Sequence, residues 1–191
     1  MRSVLHGALL APLFALAGVA QADWTLDADQ SRLSFISTKN GTTAEVHYFR
    51  ELSGSESDSA DARAAAPLQR VHTPIHIRNN PIPQFLFETA TYPTLSIRAD
   101  VDPDALNAAG RRTQDVALAV TLHGSSKRYT APLALVRGAD GSLTVSTLEP
   151  IVVDAADFDL EGGVGKLQEL AGLASISTAV PVSAHLVFRD E

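Results

Sequence analysis

Between Asp115 and Val136 apolar and polar residues alternate in two successive runs. Strand side chains repeat every two residues, so Val116, Leu118, Val120 and Leu122 fall on one face while Ala117, Ala119, Thr121 and His123 fall on the other. The answering run sets Tyr129, Ala131, Leu133 and Leu135 on one face, and the pair is predicted to hinge at Gly124-Ser125. The same period predicts strands in Trp24 to Leu26, Arg32 to Thr38, Thr42 to Leu52, Leu68 to Ile77, Thr94 to Val101, Ser142 to Val153 and Ala179 to Arg189. In the last of these Val180, Val182, Ala184, Leu186 and Phe188 share a face. Asn40-Gly41 and Asp140-Gly141 are turn pairs, because these residues tolerate positive φ.

Two segments change period. Asn80-Pro81 marks a helix start, with Ile82, Phe85 and Leu86 at i, i+3 and i+4 and an end near Thr89. Val164, Leu167, Leu170 and Ala171 show helical spacing, with Gly172 as the stop. Gly54 to Ala66 carries no clear period, so its structure stays open. The chain thus reads as all-β, with about eight antiparallel strands, two short helices and no fixed-period repeat. One consistently apolar side needs a sandwich or a closed barrel to hide it, and an eight-stranded barrel is wide enough to hold one small ligand.

Composition narrows the setting. Arg2, the mostly apolar run Val4 to Val19 and the small-x-small triplet Ala20-Gln21-Ala22 predict a cleaved secretory leader over residues 1–22, with residues 23–191 as one domain. Pro12 and the short run argue against a retained span of about 20 apolar residues. Without the leader, 14 basic residues stand against 22 acidic ones, a net charge of −8 that repels phosphate backbones and excludes nucleic acid as an expected partner. The absence of cysteine removes disulfides, thiol nucleophiles and thiolate metal sites. With no second long apolar run, contact with a membrane is compatible with the sequence but integral insertion is not expected.

Candidate chemistry is sparse. His72 and His76 have helical ligand spacing, but on a strand four steps separate them by roughly 13 Å, too far to share a zinc ion. There is no nucleophile-elbow motif, and Ser125-Ser126 belongs to a hairpin turn. Asp154, Asp157, Asp159 and Glu161 lack calcium-loop spacing, and Gly162, Gly163 and Gly165 lack the context of a phosphate loop. No catalytic residue, metal or cofactor is therefore assigned. What remains is apolar surface: Phe35, Ile75, Ile77, Phe85, Leu86, Phe87, Ile97, Val120, Leu122, Leu133 and Val182 either line a ligand cavity or fill a core.

Several stretches, in order, resemble the YceI-like family of exported lipocalin-like barrels. These are Trp24-Thr25-Leu26-Asp27, Ser31-Arg32-Leu33-Ser34-Phe35, Ile75-His76-Ile77-Arg78-Asn79, Phe85-Leu86-Phe87-Glu88-Thr89 with Tyr92-Pro93, Thr121 to Lys127, and Asp157-Phe158-Asp159-Leu160. The closing run Val180 to Phe188 is similar to the family's last strand. Gln30, Asn80 to Gln84 and the weak Gly54 to Ala66 segment depart from the family pattern. The resemblance implies a periplasmic protein with an eight-stranded antiparallel barrel whose tunnel takes a polyisoprenoid, an isoprenoid quinone or a related lipid. Arg78 and His76 are then candidates for the polar end of such a ligand. Two rival readings are an enzyme acting on the lipid in the same barrel, and a filled barrel serving as a protein-interaction module.

Overall fold

The computed structural model describes residues 24–56, 61–74, 80–107 and 109–190; the predicted leader lies outside them. Twelve strand segments form one antiparallel sheet: β1 (Trp24–Leu26), β2 (Arg32–Lys39), β3 (Thr43–Phe49), β4 (Ser53–Glu56), β5 (Asp61–Pro67), β6 (Val71–His72), β7 (Thr94–Asp100), β8 (Gly110–Leu122), β9 (Ser125–Arg137), β10 (Leu143–Thr147), β11 (Ile151–Asp154) and β12 (Ala179–Asp190). Pairing runs β1-β4-β5-β7-β8-β9-β10-β12 and returns to β1, which closes an eight-stranded barrel. The predicted architecture is the observed one.

The twelve segments fill eight positions because four strands are broken. β1 and β2 pair with successive parts of β12 on one side, as do β10 and β11 on the other. β4 pairs β1 and β5, while β3 pairs β2 and β6, so these too are halves of longer strands. The eight positions then follow one another in chain order, an up-and-down barrel with no free edge along the closed ring.

The gap between β1 and β2 is the expected one, while the other breaks shorten strands expected from the period alone. Thr42 to Leu52 stops at Phe49, because Glu51 takes a left-handed φ of 58° that no ladder accepts. Ser142 to Val153 is interrupted at Leu148-Glu149-Pro150, where Pro150 has no amide to donate. Leu68 to Ile77 opens as a 3₁₀ turn, Leu68–Arg70, before the two-residue β6. The long hairpin hinges one residue earlier than expected: Leu122 pairs with Ser125, and His123 and Gly124 carry φ of 50° and 79°, the tight turn whose twist matches the strands.

Helices close both ends. α1 (Pro103–Asn107), which the sequence pattern did not indicate, joins β7 to β8 and buries Leu106 completely. It shares that end with a dry cluster that includes Trp24, Val116, Leu135, Leu143 and Phe188. At the opposite end lie the 3₁₀ turn Ala155–Phe158 and α2 (Glu161–Ala171), which Gly172 terminates at φ 61°. The predicted helix from Ile82 is a single π-helical turn, Ile82–Leu86, closed by Phe87 N–H to the Ile82 carbonyl at 3.1 Å. α2 lies directly on this turn: a Cβ on Gly163 would stand 2.6 Å from the Phe85 carbonyl oxygen and 2.8 Å from the Leu86 Cα.

An apolar cavity through the barrel

The inward faces of the strands surround one continuous cavity with about 1480 Å³ of atom-free space, including the part open to solvent. Its lining alternates with the strand period: Leu95, Ile97, Ala99 and Val101 along β7 and just past it; Leu118, Val120 and Leu122 along β8; Val180, Val182, Ala184, Leu186 and Phe188 along β12. Phe158, Leu160, Val164, Leu86 and Phe87 bound it at the α2 end. Among the described residues, only Glu56, Arg63, Tyr129 and Thr147 bring polar side chains to this list.

The space exists because part of the wall is built from alanine. Ala62, Ala64, Ala99 and Ala184 face inward where a packed core would place larger side chains. The void is the volume they leave unfilled, so the barrel interior is not plugged by the protein. Along β12 the inward face from Val180 to Phe188 covers eight residue steps, roughly 26 Å. With strands tilted about 40°, that is roughly 20 Å along the barrel axis. An extended apolar chain fits such a shape better than a compact ring system does.

Of the residues singled out in the sequence, Phe35, Leu86, Phe87, Ile97, Val120, Leu122, Leu133 and Val182 face the cavity. Phe85 does not line it; its residue forms part of the turn on which α2 rests. Ile75, His76, Ile77 and Arg78 lie outside the described residues. The sequence reading missed the inner faces of β4 and β5, since Ala62-Arg63-Ala64 alternates too weakly in hydrophobicity to register as a strand. It also left the buried face of β3 undecided. The structure turns Glu45, His47 and Phe49 inward and Val46 outward, with Val46 58% exposed.

That choice places polar groups behind the wall. Lys39, almost fully buried, forms an ion pair with Glu45, and His47 Nε2 lies 3.8 Å from the same carboxylate while its ring sits 5.2 Å from that of Phe35. At the α2 end the Tyr129 hydroxyl donates to Asp157 Oδ2 at 3.3 Å, and Lys127 pairs with Asp157 at 3.0 Å. Burial, reinforced by the Asp157 charge, pushes the Tyr129 hydroxyl up to about 12. The acidic cluster noted in the sequence is accordingly structural: Asp154 accepts from the Ala156 amide, Asp157 holds Tyr129 and Lys127, and Asp159 accepts from the Ser125 hydroxyl at 3.1 Å. His123 bonds through Nδ1 with the Phe158 carbonyl and His185 through Nδ1 with the Ser146 hydroxyl, so neither histidine borders the cavity.

A closed antiparallel barrel with an almost wholly apolar interior defines a protein built to enclose a hydrophobic molecule. The profile of the YceI-like domain matches residues 24–188, and the chain belongs to that family. Among solved structures, it is similar to a polyisoprenoid binding domain from Saccharophagus degradans implicated in plant cell wall breakdown. The two share 34% identity and superpose with a TM-score of 0.86 over 90% of this chain and 100% of that one. BcnA of Burkholderia cenocepacia superposes with a TM-score of 0.67 at 15% identity, covering 85% of this chain and 98% of its own. The YCEI protein of Campylobacter jejuni gives 0.54 at 15% identity, covering 76% and 84%. The last two share the fold. No curated protein sequence matches the chain. The family and the Saccharophagus relative point to binding rather than catalysis.

Proposed function

We propose that this protein is a periplasmic carrier that holds a single long-chain polyisoprenoid, isoprenoid quinone or related lipid along the barrel axis. The supporting observation is the cavity itself: elongated, apolar on nearly every lining residue and bounded at one end by Phe158, Leu160 and Val164 of α2 and the turn before it. The 34% identity with a polyisoprenoid binding domain supports that ligand class. Affinity in such a cavity comes from removing apolar surface from water, at about 25 cal/mol per Å².

Within this reading Phe35, Leu86, Phe87, Ile97, Val120, Leu122, Leu133 and Val182 contact the chain of the ligand, together with Ile75 and Ile77. Arg78 is the candidate for its polar end. Export through a leader ending at Ala22 places the carrier in the periplasm. Organic extraction and native mass spectrometry of the purified protein test the proposal. One long-chain lipid per polypeptide is expected, on a chain that begins at Asp23. A protein that carries no lipid and takes up no added polyprenol would end it.

A further inference from the structure

The ring closes between β9 and β12 through β10, and from there toward α2 the wall is not laddered. The Leu148 amide donates to the Pro132 carbonyl at 2.9 Å. Beyond that rung, among the described residues, β9 from Ser125 to Ala131 pairs with β8 alone and β11 pairs with β12 alone. The cause is an insertion: from Ser146, opposite His185, to Ile151, opposite Val182, the chain takes five steps where β12 takes three. The surplus carries β11 away from β9 and leaves a gap in this half of the wall. The cavity reaches both margins of the gap, at Tyr129 and Leu133 on β9 and at Ile151 and Val153 on β11.

The 3₁₀ turn Ala155–Phe158 leaves β11 and crosses to β9, covering the gap. Its inner side, Ala155 and Phe158, is buried and lines the cavity, while Ala156 and the following Asp159 are exposed. Toward β12 the turn is held by backbone, with the Ala155 amide donating to the Thr178 carbonyl at 2.9 Å. Toward the β8–β9 hairpin, among the described residues, each bond uses a side chain: Lys127 and Tyr129 to Asp157, the Ser125 hydroxyl to Asp159, and His123 to the Phe158 carbonyl. A turn tied by backbone on one side and by side chains on the other swings outward without breaking a rung of the sheet. α2 is the tighter cover, since Gly163 leaves no room for a Cβ against Phe85 and Leu86.

We infer that this turn is a gate in the side of the barrel, through which an apolar chain enters and leaves, with Asp157 as its clasp. Lifting Phe158 out of the gap opens the cavity along the edge formed by Tyr129 and Ile151. The gate rests on the carrier reading of the cavity and adds the route by which that cavity is filled. Asp157, Ser125 and Asp159 are not among the lining residues, so they govern how fast a ligand exchanges and not how tightly it is held.

Stopped-flow uptake of dansyl-undecanoic acid, and its release into excess albumin, test the gate. The chain has no cysteine of its own, so Ser125→Cys with Asp159→Cys allows one disulfide across the gap, at positions whose side chains meet at 3.1 Å. Oxidised, this variant should exchange the probe about tenfold or more slowly in both directions, and reduction should restore the rate in the same sample. Asp157→Ala should speed both directions about fivefold, with equilibrium affinity unchanged. Equal rates in the oxidised and reduced forms would overturn the gate and leave the carrier standing. So would an Asp157→Ala variant that binds more weakly without exchanging faster. An unmodified protein that takes up neither the probe nor added polyprenol would remove the carrier reading, and the gate with it.

Discussion

The Ser31 hydroxyl accepts from the Val187 amide at 3.0 Å and faces the Val187 carbonyl at 3.5 Å, joining residues 156 apart in sequence. Both lie where β1 gives way to β2 and the ladder with β12 would lapse. At the other break beside β12, Thr147 Oγ1 does the same work, accepting from the Ala184 amide at 3.2 Å and facing its carbonyl at 3.5 Å. One side-chain hydroxyl at each gap thus satisfies backbone groups that the interrupted strand leaves behind. Ser31→Ala should destabilise the barrel by about 1–3 kcal/mol, the cost of a buried unsatisfied amide, as read from urea midpoints. A midpoint within error of the unmodified protein would show that water replaces the hydroxyl.

The single tryptophan reports on the barrel floor. Trp24 is 3% exposed, and the Arg137 guanidinium lies 4.5 Å from its ring centroid, although the two strands are not neighbours in the sheet. Trp24→Ala should cost about 3–5 kcal/mol, the range for removing a large buried aromatic. Arg137→Ala should cost about 1–2 kcal/mol through the lost cation–π contact. Thermal melts followed by circular dichroism measure both, and equal losses would contradict a tryptophan-centred core.

Filling the cavity should separate binding from stability. In a close-packed core an added ring costs about 1–3 kcal/mol, but Ala184 and Ala99 face empty space. Ala184→Phe and Ala99→Phe are therefore expected to shift stability by less than about 1 kcal/mol while removing most of the co-purifying lipid. Leu143→Ala, at a fully buried floor position, should show the reverse: a loss of about 2–5 kcal/mol with lipid retained by the folded fraction. Lipid content unchanged in both phenylalanine variants would remove the cavity from the binding reading.

Where the hydrophobic period is strong, sequence and structure agree. Leu118, Val120 and Leu122, and Val180 to Phe188, line the barrel as their alternation indicates. The period says nothing about strand breaks, because those depend on single backbone conformations such as the positive φ of Glu51 and on hydroxyls such as Ser31 that act across the whole chain. It also cannot register a wall of alanine. Ala62 and Ala64 shape the cavity by being small, a property visible only once the opposing strands are in place. The inward turn of Glu45 and His47 was hidden for a related reason: β3 puts polar residues inside and Val46 outside, against its own hydrophobicity.

Two tyrosines should titrate far apart. The hydrogen bond from Arg50, aided by Arg32, holds the Tyr48 phenol below its ordinary value of 10.0. Burial and the neighbouring Asp157 push Tyr129 from 10.0 up to about 12. For Tyr129 the folded state favours the neutral hydroxyl, so its contribution to stability is complete below pH 10 and is lost as the pH rises through about 12. Tyr48 has the opposite sign, since its depressed value favours the phenolate in the fold. Near-ultraviolet absorbance should therefore show an early tyrosinate step that Tyr48→Phe removes and a late one that Tyr129→Phe removes. Urea midpoints of the unmodified protein should fall between pH 10 and 12, more steeply than those of Tyr129→Phe. Parallel curves for the two proteins would mean that the Tyr129 hydroxyl is not held neutral by the barrel wall.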